Sequence, residues 1–285
     1  MSASAKQPAF NGVYCAEATA FAGLLPNASV DLIYLDPPFA TQTTRTSRKS
    51  GERYDDRWTG GVKQFLAFML PCLDECRRIL SPKGTLYLHL DYRAASYARV
   101  LLDTLFGERC FLNEVIWQYR TGGVSRSWFG RKHDTILVYA KRIGHHTFNV
   151  LREGVYRTDG LNHDENGKPY KNTKRGRLYF NVNGPALTDV WDIPFLSTVA
   201  SERVGWPTQK PLALLDRIIR ASSNPGDVIA DFFCGSGTTL VAAKQLGRRW
   251  IGCDAESRAV RLAKQRLSRT RSPDDLAISA PKPSR

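Results

Sequence analysis

The stretch from Asp227 to Leu246 constrains the fold more than any other. An apolar run, Asp227 to Phe233, ends in Cys234-Gly235-Ser236-Gly237-Thr238, and a helical run from Thr239 to Leu246 begins at once. Glycines between a strand and a helix let the backbone turn tightly and pass close to a ligand, while the free amides at the helix start offer donors. Arg249 to Cys253 reads as the next strand, which closes a β-α-β unit. The same rhythm runs through the first half of the chain. Ser29 to Leu35 is a short apolar strand stopped by Asp36-Pro37-Pro38, and Phe65 to Leu80 is a helix ended by Ser81-Pro82-Lys83-Gly84. Thr85 to Leu90 follows as a buried-type strand and Tyr92 to Leu105 as a helix. Val115 to Tyr119 and Thr135 to Tyr139 read as a strand pair around a Gly-rich basic loop. Leu212 to Ala221 and Ser257 to Leu267 read as helices. Repeated β-α-β units predict an α/β fold with a doubly wound, mostly parallel sheet.

Residues 142–205 break this rhythm: they are polar, rich in Gly, Asn, Arg and Lys, and without a sustained period. A structureless loop of that length is unusual in a compact core, so the segment is expected to be a functional insertion with short strands of its own. The expected organisation is therefore 1–141 and 206–271 as two halves of one α/β domain, 142–205 as the insertion, and 272–285 as a disordered tail. No apolar run approaches the roughly 20 residues of a membrane span, and the opening residues lack a signal-peptide stretch, so a soluble cytoplasmic protein is expected. The cysteines (Cys15, Cys72, Cys76, Cys110, Cys234, Cys253) are scattered, without a CxxC pair or neighbouring histidines, and are read as reduced packing thiols with no metal site.

A net charge of +14 suits a polyanionic partner better than a small neutral substrate alone. Six basic residues and no acid lie between Ser257 and Pro273, and four basic residues without an acid lie between Ile116 and His133. Runs of this kind also serve as solvated faces, but Trp117, Tyr119, Trp128 and Phe129 interleave the second, a combination that favours nucleic acid.

Two acidic positions carry candidate chemistry. Asp254 ends the strand after the glycine turn, nineteen residues beyond Gly235, where a carboxylate is placed to accept hydrogen bonds from the ribose hydroxyls of an adenosine. Leu240 stands where the dinucleotide pattern wants its third glycine, which speaks against NAD. Asp36 lies at the carboxyl end of a buried strand, where open α/β sheets place ligands. With the Pro37 carbonyl it offers two acceptors on a rigid backbone, and Phe39 offers a flat apolar face. The set matches, in kind and number, an exocyclic NH2 on an aromatic ring. The same tetrapeptide also reads as a simple polar turn.

Asp36-Pro37-Pro38-Phe39 together with Asp231-Phe232-Phe233-Cys234-Gly235-Ser236-Gly237-Thr238-Thr239 resembles the amino-methyltransferases of DNA. The tetrad precedes the glycines by about two hundred residues, an order similar to the permuted β-group of that family. Trp206-Pro207-Thr208-Gln209-Lys210-Pro211 is similar to the group's T-Q-K-P signature. The segment from Phe129 to Tyr139 resembles its F-G-R-x-H-D-x-I-L-x-Y passage, and Asp189 to Pro194 is likewise similar. The likeness spans roughly Val30 to Arg266. Phe232 stands where the family often has proline, and Asp254 where it often has glutamate.

The resemblance implies a Rossmann-like, seven-stranded sheet. It implies S-adenosylmethionine as cofactor, held by residues 231–239, Asp254, Thr208 and Lys210, the last toward the methionine carboxylate. Catalysis falls to Asp36, Pro37, Pro38 and Phe39, acting on a base flipped out of double-stranded DNA. Serine is commoner than aspartate at position 36 in cytosine-N4 enzymes, which tilts the expected target to adenine N6. Arg45, Arg48, Lys49, Arg53, Arg120, Arg126, Arg131 and Lys132 are candidates for positioning DNA. Arg152, Arg157, Lys168, Lys171, Lys174, Arg175 and Arg177 of the insertion are candidates for reading it. His89 and Asp91 should face the cleft by the sheet-end rule, and His133-Asp134 should shape the base of the basic loop. A homodimer and a cognate restriction endonuclease are admitted as partners.

Rival readings separate on chemistry. A cytosine-C5 enzyme needs a cysteine nucleophile after proline, but Pro71-Cys72 is followed by Leu73 inside an expected amphipathic helix. A binding module that had lost catalysis would need neither the tetrad nor the glycine turn. RNA in place of DNA is left to competition binding.

Overall fold

The structure is a computed structural model that describes residues 7–38, 44–46, 53–55, 60–119, 126–157, 159–197, 199–273 and 275, with 44–46 and 53–55 described by backbone alone. In chain order the elements are β1 (Gly12–Cys15), α1 (Ala18–Gly23), β2 (Val30–Leu35), β3 (Thr44–Thr46), β4 (Arg53–Asp55), α2 (Gly61–Ile79), β5 (Leu80–Leu90), α3 (Ala95–Phe106), β6 (Phe111–Gln118) and β7 (His133–Ala140). There follow β8 (Asn162–His163), β9 (Pro169–Thr173), β10 (Gly176–Tyr179), β11 (Val190–Asp192), α4 (Leu212–Ser222), β12 (Val228–Asp231), α5 (Thr238–Gln245), β13 (Arg249–Asp254) and α6 (Ser257–Arg269).

Two compact units result, one of residues 149–188 and one of the rest. The larger is built on a sheet in the order β1-β13-β12-β2-β5-β7-β6-β11. All neighbours are parallel except those of β7, which runs antiparallel between β5 and β6. Among the described residues the sheet holds eight strands rather than seven. The extra one, β11, pairs with β6 through Trp191 opposite Trp117, and the Trp117 indole N–H donates to the Ile193 carbonyl at 2.8 Å. With only three residues, β11 has too short an apolar run to be read as a strand without its partner.

Strand β2 alternates between two cores, as a period of two requires. Ile33 and Leu35 join the buried faces of α1, α2 and α3, while Leu32 and Tyr34 join those of α4, α5 and α6. Helices thus cover both faces, the doubly wound arrangement that the β-α-β rhythm predicts. Helix α2 packs through Phe65, Met69, Cys72, Leu73, Cys76 and Ile79, all buried at helical spacing. Cys72 is therefore core packing while Pro71 is exposed, and Cys76 is a thiol whose ionisation burial pushes up.

The consequence that matters for function lies at the centre of the sheet. β2 and β12 are neighbours, with Leu32 opposite Ile229 and Ile33 opposite Ala230. Asp36 and the glycine turn, far apart in sequence, leave the sheet side by side at its carboxyl edge.

The smaller unit carries a three-stranded antiparallel sheet in the order β10-β9-β8. It is narrower than the 142–205 segment read as an insertion, because β11 and the loop before α4 belong to the larger unit.

Candidate active site

A cavity of about 430 Å³ opens at the carboxyl edge of β2, β12 and β13. Asp36, Pro38, Lys210, Gly235, Asp254 and Trp206 all line it, so the proline turn and the glycine turn share one space.

The glycine turn is held from beneath. Asp231 is buried; its carboxylate accepts the Phe233 N–H at 3.0 Å and the Thr239 hydroxyl at 2.6 Å. Both oxygens are thus used within the turn. Burial dominates its titration and pushes the carboxyl up to about 7, although those two bonds pull the other way. Gly235 has φ +50° and Gly237 φ +77°, both in the left-handed region that favours glycine. A Cβ on Gly235 would sit 2.9 Å from the Trp206 indole nitrogen. Ser236 and Thr238 face Arg266, whose guanidinium donates to the Ser236 carbonyl at 2.9 Å and lies 3.0 Å from the Thr238 hydroxyl.

Asp254 accepts the Gly235 N–H at 2.8 Å through one oxygen and the Glu256 N–H at 2.9 Å through the other. Its pKa is nonetheless raised, because burial outweighs the two bonds. Each oxygen retains a lone pair, so the carboxylate still accepts from a ligand hydroxyl. Glu17 also lines the cavity and caps α1, accepting the Thr19 and Ala20 N–H groups. Sequence reasoning passed over Glu17, Tyr34 and Phe68 as cavity residues. The sheet-end rule applied to the four-residue β1 would have found Glu17.

Asp36 has two unlike oxygens. Oδ2 pairs with the Lys210 ammonium, and both side chains are nearly buried. Oδ1 is buried without a hydrogen-bond partner among the described residues. Behind it stands His89, fully buried, with Nδ1 3.9 Å from Oδ1 of Asp36 and 2.7 Å from the Tyr34 hydroxyl. Its Nε2 lies 3.2 Å from Asp134, which also accepts the Tyr119 hydroxyl at 3.1 Å. Burial works against the Asp134 charge, but His89, Lys210 and Tyr119 together hold its pKa below the usual value. Asp91, expected in the cleft, instead bonds Arg93 through backbone and side chain at the start of α3.

Of the remaining expected residues, Thr208, Phe232, Phe233, Cys234, Ser236, Thr238 and Thr239 line the cavity, whereas Pro37 and Gly237 do not. Phe39, Arg48, Lys49 and Arg120 lie outside the described residues. Arg45 and Arg53 sit in the antiparallel β3–β4 pair. Arg126 and Arg131 are exposed, and Arg131 stacks 4.2 Å over Tyr92 while donating to its hydroxyl at 2.6 Å. In the smaller unit, Arg157, Lys171, Lys174 and Arg175 are exposed. Arg177 stacks over Tyr170 at 4.6 Å and Lys168 over Tyr179 at 5.0 Å.

The model of the N6/N4 methylase family, described as DNA methylase, matches residues 30–265. The chain belongs to that family. This DNA methyltransferase is 33% identical over 254 residues to the type II methyltransferase M1.MboII of Moraxella bovis, covering 85% of this chain and 91% of the relative. It is 30% identical over 250 residues to the DNA adenine methyltransferase YhdJ of Escherichia coli K12, covering 85% and 78%. The fold of the methylase matches the crystal structure of an M1.HpyAVI–SAM complex with a TM-score of 0.58, at 22% identity over 90% of this chain and 98% of that one. It also matches the cytosine-N4-specific PvuII DNA methyltransferase with a TM-score of 0.60, at 17% identity over 89% and 85%. The fold is thus shared by an enzyme of the N4 class.

Proposed function

We propose that this methylase transfers a methyl group from S-adenosylmethionine to N6 of an adenine extruded from double-stranded DNA. The observation that carries the reading is the buried, unpartnered Oδ1 of Asp36, on a carboxylate that lines the same cavity as the glycine turn.

The cavity fits the cofactor in size and in donor set. Its volume lies within the roughly 300–1,000 Å³ of small-molecule sites. Asp254 would take the ribose hydroxyls, the backbone at Gly235 would allow close approach, and Trp206, Phe68 and Phe233 supply apolar walls. Thr208 and Lys210, which also line the cavity, would take the methionine end. When bound, S-adenosylmethionine supplies a methyl carbon made electrophilic by its positively charged sulfur.

An aromatic amine is a weak nucleophile because its lone pair is delocalised into the ring. Asp36 and the Pro37 carbonyl would accept its two hydrogens and draw that pair out of the ring plane. Their contribution is orientation and a fixed electrostatic field rather than strong basicity. Phe39 would stack on the extruded base, as flipped bases require. The cost of unstacking, a few kcal/mol, is offset by phosphate contacts. Arg126, Arg131 and Lys132 are proposed to make these, and the exposed cations of residues 149–188 to read sequence. Adenine is favoured over cytosine by the aspartate at position 36 and by the likeness to an adenine-specific relative. A nuclease of the same recognition sequence is proposed as a partner.

The test is methylation of random-sequence duplex DNA by the purified protein, followed by modification-sensitive sequencing. N6-methyladenine in one fixed context is expected. N4-methylcytosine would overturn the base assignment, and absence of both would overturn the reading.

A further inference from the structure

The buried histidine beside Asp36 is not needed to bind cofactor or to orient an amine, and its surroundings are unlike those of a packing residue. His89 lies on β5 between Tyr34 of β2 and Asp134 of β7, with the Trp117 ring of β6 at 5.5 Å. Lys210 lies close enough to Asp134 to lower its pKa. Asp231 and Asp134 act with Asp36 on Tyr34, whose hydroxyl burial keeps protonated. Asp134 is held as a carboxylate, so Nε2 of His89 carries hydrogen and donates to it. Nδ1 then bears a lone pair, which faces the Tyr34 hydroxyl and, at 3.9 Å, the orphaned Oδ1 of Asp36. A carboxylate, an imidazole and a second carboxylate stand in line, running from the cavity to a group whose side chain is 15% exposed.

We propose that His89 is the proton-receiving positioning residue for Asp36. The inference rests on the reading of Asp36 as the amine's acceptor. Once the target nitrogen has bonded to the methyl carbon it carries a positive charge, which it relieves by losing a proton while keeping the N–H bonding pair. Oδ1 of Asp36 takes that proton and passes it to Nδ1 of His89, so the carboxylate ends as it began. The Tyr34 hydroxyl turns to accept from the new Nδ1–H. The resulting imidazolium is balanced by the Asp134 carboxylate and returns its proton to water at the exposed edge of that residue. Without this exit the proton would stay on Asp36 and neutralise the acceptor.

The coupling is tested first without turnover, by a 15N histidine NMR titration of the full-length protein, with His89→Asn identifying the signal. Asp36→Asn and Asp134→Asn are each expected to lower the His89 pKa by about one unit, since each removes a facing negative charge. A His89 titration unmoved by Asp36→Asn overturns the proposal. In single-turnover methylation, the wild-type rate should fall through an inflection as pH drops, because a charged imidazole cannot take the proton. His89→Asn should be about 100-fold slower, with that inflection gone and S-adenosylmethionine affinity near wild type. A His89→Asn protein with the wild-type rate and inflection sinks the relay. Should His89→Asn not fold, Asp134→Asn carries the kinetic test, and its inflection must shift to lower pH. A wild-type protein that methylates no DNA refutes the proposed function whatever the titration shows.

Discussion

Asp36, nearly buried, and Asp231, fully buried, line one cavity, yet they are set up for opposite work. Asp36 keeps one oxygen unpartnered among the described residues, whereas each oxygen of Asp231 accepts a hydrogen bond within the turn it supports. Replacing Asp36 with Ala should therefore abolish methyl transfer while leaving S-adenosylmethionine affinity within a few-fold. Isotopic transfer to DNA and calorimetric titration read the two separately, and an active Asp36→Ala protein would refute the assignment. Asp231 should show itself in stability. Its carboxyl titrates near 7 in the folded protein against 3.8 ordinarily, so between these values the folded chain holds a proton that the unfolded chain has lost. The contribution is fully present below about pH 4 and is lost as pH rises through 7. Urea unfolding of wild type and Asp231→Asn at stepped pH should show the wild type losing stability relative to the variant by a few kcal/mol across that window. Parallel curves would mean that Asp231 is not proton-linked to folding.

The start of α5 is fixed by contact with α6: a Cβ on Gly237 would lie 2.7 Å from the Ala263 Cβ, and its φ of +77° strains any other residue. Gly237→Ala should destabilise the fold by roughly 1–3 kcal/mol in denaturant unfolding, with Ala263→Gly recovering the steric part but not the backbone part. Full recovery would assign the whole cost to the clash, and no recovery would assign it to φ. Glycine's conformational need is a local matter, which is why this turn was legible in the sequence. So were β2, β12 and β13, whose apolar runs are long enough to carry a pattern, and α4 and α6, whose observed bounds lie within two residues of those expected. What escaped were short elements defined by partners. β1 and β11 have four and three residues and exist because β13 and β6 supply their hydrogen bonds. β5 begins at Leu80, five residues before the strand expected at Thr85. Ser81 is held by Asp31 at 2.8 Å and Lys83 by Asp227 at 2.6 Å, long-range bonds that straighten what composition presents as a helix-ending turn. Asp36 and the sheet-end rule were readable, whereas its pairing with Lys210 and His89 depends on strand order. His89 stands opposite Ile136 in the ladder with β7, a register that no local pattern encodes.

At the scale of the molecule the dominant fact is charge, 41 Lys and Arg against 27 Asp and Glu. At the cavity, Asp36 pairs with Lys210, whereas the excess of cations lies on exposed segments. Within residues 149–188, Lys171, Lys174, Arg175 and Arg177 are all exposed, on or between β9 and β10. Cations that bind phosphates release counterions from the DNA, so affinity should fall by orders of magnitude between about 50 and 200 mM salt. A flat response would mean that the charge serves something other than DNA. The same measurement sorts the roles of individual cations. Removing a side chain that binds a phosphate should flatten the log–log salt slope by about 0.9 and weaken all sequences alike. Removing one that reads a base should leave the slope and relax one position of the recognition sequence. Arg177 already stacks on Tyr170, an arrangement that fixes a guanidinium for a directional contact, while Lys174 and Arg175 lie between the strands with no such stacking among the described residues. Lys174→Ala with Arg175→Ala should therefore flatten the slope by up to about 2 without altering sequence preference. Arg177→Ala should leave the slope and broaden the preference, and the reverse pattern would exchange the two assignments.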